Sequence, residues 1–206
     1  MKRNKFFVGT LLILLLVTTS SVSANIISWS CADDGDHAIV MSGGTLTQLA
    51  AGEYELSMNC TQYWAPGHIA GDFTTDTEED PTVGFLEDVS NDTGFAWTDY
   101  HIDFGMTKSF TILSATAPSG WTYVITQPAA NQPLPANTPP GLGWVGEVDY
   151  YQGTGSPIAI NDDGIFGLKV VFSGSVSFYT ADTPTPEPAT IGLLGLGALV
   201  LLRRRR

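Results

Sequence analysis

Through the middle of this chain, apolar residues return at every second position in short runs, and each run is cut by glycine, proline or Asx turns. Tyr54, Leu56, Met58 and Cys60 alternate with Glu53, Glu55, Ser57 and Asn59, the period of a strand with one face buried and one in water. Similar runs occupy Ile69 to Phe73, Val83 to Phe85, Tyr100 to Phe104, Phe110 to Ile112, Trp121 to Ile125, Phe166 to Phe172 and Val176 to Phe178. No stretch of the body sustains a 3.6-residue apolar period. A parallel sheet would need crossover helices, so antiparallel pairing is expected.

Eight to ten short strands separated by tight turns predict an all-β fold, an antiparallel β-sandwich of immunoglobulin-like or jelly-roll type. Ser173-Gly174-Ser175 predicts a hairpin between the last two runs. Gln127 to Gly143 holds Pro128, Pro133, Pro135, Pro139 and Pro140, which cannot donate to a ladder, so a long surface loop is expected there. Asn91-Asp92-Thr93-Gly94 leads into Trp97 and Tyr100, the arrangement of an Asx turn feeding a core strand.

The two ends obey different rules. Lys2, Arg3 and Lys5 precede an apolar stretch from Phe6 to Val17, followed by small residues up to Val22-Ser23-Ala24. That is the layout of a secretory signal peptide, residues 1–24, with cleavage by signal peptidase between Ala24 and Asn25. At the other end, Asp182 to Pro188 reads as a proline-spaced stalk closing on Pro186-Glu187-Pro188. An apolar run from Ala189 to Leu202 and then Arg203, Arg204, Arg205 and Arg206 follow. A helix over that run is about 21 Å long against a hydrocarbon core of about 30 Å, a short single membrane helix suited to a temporary hold. The arginines keep the tail cytoplasmic, so the body, residues 25–181, lies on the opposite side of the membrane.

The order of Pro186-Glu187-Pro188, a short Gly/Leu-rich helix and an arginine cluster resembles the PEP-CTERM sorting signal. The resemblance covers about the last twenty residues and implies an exosortase as processing partner. By position, Pro186, Glu187 and Pro188 correspond to the recognition motif, and Arg203 to Arg206 to the retained end. The Asn91 to Tyr100 segment is similar to one found in sandwich domains of other proteins of this kind, and it implies fold and compartment only. The association with exopolysaccharide producers implies a structural role in the envelope, biofilm or extracellular matrix, with exopolysaccharide as a partner.

Seven of the nine basic residues sit in the two ends, which leaves Lys108 and Lys169 as the only cations besides histidine in a strongly acidic body. Such a surface repels phosphate backbones and excludes nucleic acid as a partner. Export places Cys31 and Cys60 in an oxidising compartment, so a disulfide between them is expected.

Functional candidates are few. Asp33-Asp34-Gly35-Asp36 and Asn161-Asp162-Asp163-Gly164 gather carboxylates beside turn glycines and offer Asp33, Asp34, Asp36, Asp162 and Asp163 as calcium ligands. Neither has the spaced ligands of an EF-hand, and ordinary Asx turns have the same composition. No other cofactor is indicated. Trp144, beside the proline-rich stretch, is the candidate for stacking on a sugar ring in a carbohydrate-binding module, whereas most tryptophans in a domain of this size belong to the core. His37, His68 and His101 form no catalytic motif, so no catalytic residue is assigned and a non-enzymatic protein is expected, with a secreted hydrolase the remaining option.

Overall fold

The computed structural model describes residues 23–135 and 141–186, and these contain strands and loops but no helix. The strands are β1 (Ile26–Asp33), β2 (Ile39–Ala50), β3 (Glu53–Gln62), β4 (Gly67–Thr75), β5 (Thr82–Asn91), β6 (Trp97–Met106), β7 (Phe110–Thr116), β8 (Thr122–Pro133), β9 (Leu142–Tyr151), β10 (Asp163–Phe172) and β11 (Val176–Pro186). They form two sheets. The larger has the order β1-β4-β11-β6-β9-β8 and the smaller β2-β3-β5-β10-β7. The all-β sandwich expected from the alternation is therefore what the chain adopts.

All neighbours are antiparallel except β3 and β5, which run parallel. Parallel neighbours require a crossover, and β4, paired in the other sheet, supplies it in place of a helix. The alternating residues of β3, Tyr54 to Cys60, are all buried, and so are Phe85 on β5, Phe104 on β6 and Phe178 on β11. Phe85 meets Phe104 edge to face across the sheets at 4.7 Å, and Tyr100 stacks on Phe166 at 4.1 Å. Each such pair contributes about 0.5–1.5 kcal/mol beyond the area it buries. The expected Asx turn is present: Asn91 Oδ1 accepts the Thr93 amide at 3.0 Å, and Trp97 Nε1 donates to Thr93 Oγ1 at 2.9 Å.

Several expectations need correction. The supposed loop from Gln127 to Gly143 is largely ladder, because β8 continues to Pro133 opposite Leu142. Two register shifts, Thr126/Ala129 and Ala130/Gln132, take up the irregular residues, and β8 is an edge strand whose outer side needs no donors. The last two strands are not a hairpin. The chain leaves the smaller sheet at Phe172, turns through Gly174 at φ 62°, and enters the larger sheet at Val176. The stalk expected from Asp182 begins inside the fold, since Asp182 pairs with both β4 and β6 and Thr183 to Pro186 extend β11 along β6. Residues 1–22 and 187–206, which hold the signal segment, Glu187, Pro188, the apolar run and Arg203 to Arg206, lie outside the described residues.

Candidate ligand-binding face

The outward side of the larger sheet carries a row of titratable side chains on β6 and β9. Register places His101 beside Asp149, Asp103 beside Glu147 and Asp99 beside Tyr151 on adjacent β6 and β9. His101 Nδ1 is hydrogen-bonded to Asp149, and Tyr151 sets its ring edge against the imidazole at 6.3 Å between centroids. Burial raises the Asp103 carboxyl above its ordinary range, His101 opposes the shift, and Asp149 adds to it. Glu147 is raised by burial and then by Asp149. This face therefore concentrates negative charge that a proton, a cation or hydroxyl donors would relieve.

Beside it lies a groove of about 450 Å³, lined among others by Asp103, Glu147, Gln127, Gln132, Pro133 and Pro135. The chain folds back over the sheet at its upper edge. A Cβ on Gly105 would stand 2.7 Å from Pro135, so glycine is what lets that segment approach. Gln127 is committed to β7, its Nε2 donating to the Ile112 carbonyl at 2.7 Å while its Oε1 accepts the Ile112 amide at 3.1 Å. The polar half of β6 carried this site in the sequence, since Asp99, His101 and Asp103 share one phase of the alternation.

The sequence candidates distribute elsewhere. Asp33 accepts the amides of Gly35 and Met41, Asp34 that of Asp36, and Asp36 that of Ala38. Asp34 also bonds His68 Nδ1 at 3.1 Å, and Asp34, Asp36 and His68 lie within reach of one common ion. An imidazole in the set suits a transition metal better than calcium. Asp163 accepts Ser90 Oγ at 2.5 Å at the start of β10, and Asp162 gives its carbonyl to the Asn91 amide. Among the described residues, Asp162 and Asp163 join no group with Asp33, Asp34 and Asp36. Trp144 is half-buried and packs against the core, and it is not among the groove residues. An exposed aromatic pair is formed instead by Tyr63 and Trp64, tilted at 6.4 Å. At the signal junction Ala24 is buried, while Asn25 donates its amide to Asp76 Oδ1 at 2.7 Å.

Cys31 and Cys60 are not bridged. Both are free thiols. Cys31 Sγ turns toward methionine sulfur, 3.4 Å from Met58 Sδ and 3.5 Å from Met41 Sδ, so it packs as a small apolar group. Burial, then Glu87 and Asp33, pushes the Cys31 thiol up to about 12, and burial raises Cys60 as well. In the folded chain this works against the thiolate that disulfide exchange requires.

Residues 184–206 match the PEP-CTERM protein-sorting motif. No curated protein matches the chain. Among solved structures, a family 11 carbohydrate-binding module from Clostridium thermocellum, in complex with a beta-1,3-1,4-mixed-linked tetrasaccharide, is similar at 11% identity over 79% of this chain and 91% of that one. The TM-score is 0.22, a likeness too loose to bear on ligand or mechanism.

Proposed function

We propose that this chain, which carries the PEP-CTERM sorting motif, delivers a non-catalytic β-sandwich to the cell surface or extracellular matrix. The motif implies export and handling by signal peptidase and exosortase, with a transient membrane-held state. The observation that carries the reading is the junction itself: the motif begins at Pro184, inside β11, so the sorted tail is continuous with a central strand of the body. Mass spectrometry of the mature C-terminus tests it. Loss of Arg203 to Arg206 from the surface or secreted pool is expected, and their retention there would sink the processing step.

A second reading concerns what the delivered domain touches. The groove beside Asp103 and Glu147 offers carboxylates and the Gln132 amide to hydroxyl groups, the equipment for a polysaccharide chain. Calorimetry of the purified body with the producer's own exopolysaccharide tests this reading. Binding that weakens on Asp103→Ala supports it, and an absence of heat at millimolar sugar removes it.

A further inference from the structure

Among the described residues, three buried side-chain oxygens have no hydrogen-bond partner, and all belong to two acids: Glu87 Oε1 and Oε2, and Asp182 Oδ1. Both residues are fully buried. Glu87 sits on β5 in register with Met58 of β3 and Phe166 of β10, in the centre of the smaller sheet. Asp182 sits on β11 in the larger one. Alternation turns both into the space between the sheets, in phase with buried Phe85 and Val89 on one side and Phe178 and Thr180 on the other.

Two carboxylates in one apolar interior are an unstable arrangement by themselves. Glu87 stands beside Phe166, whose ring stacks on Tyr100, and the Tyr100 hydroxyl bonds Gln62, which reaches the Asp182 carbonyl, so the two acids face one region between the sheets. Protonation would remove the charge but would leave carboxyl oxygens without partners. A divalent ion meets both needs, because it balances two negative charges and occupies the empty lone pairs. Further oxygens stand nearby. Thr180 Oγ1 is 3.1 Å from Asp182 Oδ2, and Tyr100 Oη is 3.3 Å from Gln62 Oε1, whose amide nitrogen reaches the Asp182 carbonyl at 3.2 Å.

We propose that Glu87 and Asp182 hold a hard divalent cation, calcium in the first instance, between the two sheets, with oxygens of Thr180, Gln62 and Tyr100 completing its surroundings. Calcium gathers six to eight oxygens and favours carboxylates, which fits this donor set. The site is enclosed, so the ion enters as the sheets close. It is a structural ion of the fold, independent of the outer face and its ligand.

The test compares protein refolded from denaturant in calcium with protein refolded in EDTA, together with elemental analysis of the chain as isolated. A single tightly held calcium per chain is expected, with a melting temperature several degrees lower after refolding in EDTA. The Glu87→Gln, Asp182→Asn double variant should lose the ion and the calcium response, while Asp34→Asn keeps both. Metal-free protein with one melting temperature in both media would overturn the proposal in favour of a protonated pair. Stoichiometric copper or zinc would overturn it in favour of the sulfur atoms of Cys31 and Met58, and loss of calcium in Asp34→Asn would move the ion to the surface group. If the double variant fails to fold, the metal content and the refolding comparison on the unaltered chain decide the matter.

Discussion

Tyr100 on β6 donates its hydroxyl to Gln62 Oε1 on β3, 3.3 Å away across the two sheets. Gln62 Nε2 reaches back to the Asp182 carbonyl at 3.2 Å and also donates to the Trp64 carbonyl at 2.6 Å. One fully buried amide therefore fastens the smaller sheet to the larger at this end of the sandwich.

Tyr100→Phe removes the donor to Gln62 Oε1 and should cost about 1–2 kcal/mol in urea unfolding. Gln62→Leu should cost more, because it strands the tyrosine hydroxyl and deprives two carbonyls of their donor. Equal stability of both variants and the parent would mean that the inter-sheet bond is not formed.

Gly71 lies where β1, β4 and β11 meet closely. An added Cβ would stand 2.2 Å from the Ser30 carbonyl oxygen and 2.5 Å from the Phe178 ring. Gly71→Ala should therefore destabilise by more than about 2 kcal/mol. At Gly43 a Cβ meets nothing within 4 Å, and Gly43→Ala should stay within about 0.5 kcal/mol of the parent. Thermal melts of the two variants side by side separate close approach from a general cost of losing glycine.

Thiol labelling reports on the two cysteines directly. Native protein should label slowly, since Cys31 is held near 12 and Cys60 is buried. Denatured without reductant, the chain should take up label at both Cys31 and Cys60. An intact mass two hydrogens short, with no label in denaturant, would restore the bridge.

The raised carboxyls of Asp103 and Glu147 make a signed prediction about pH. Their folded forms hold protons that the unfolded chain releases at ordinary carboxylate values, so this contribution is complete below about pH 4 and fades as pH rises through the folded values. His101 and Asp149 face the same groups and set the balance between them. Asp103→Asn should flatten the decline in melting temperature relative to the parent on the alkaline side of that value. Parallel curves for the two proteins would show that Asp103 titrates normally.

Strands whose buried phase is filled by large side chains, such as β3 and β10, were legible from alternation alone. β2 and β9 were not, because glycines interrupt their pattern at Gly43, Gly44, Gly143 and Gly146. The first half of β8 was legible in the run from Trp121 to Ile125, whereas its second half was hidden by prolines that an edge strand with bulges accommodates. The outer face depends on β6 lying beside β9, and that pairing of His101 with Asp149 has no local signature. The interior acids did leave one: Glu87 falls in the phase of Val83, Phe85 and Val89, and Asp182 in that of Phe178 and Thr180. A charge on the buried beat of a strand is the mark to look for.

β11 lies between β4 and β6, antiparallel to both, and runs straight into the sorted tail. Tension applied along β11 would load its ladder with β6 first, from Pro186 inward, and from Asp182 the ladder with β4 as well, both in shear. A terminal edge strand would instead peel away one bond at a time. The sorted tail is thus fastened to the interior of the larger sheet and not to its rim.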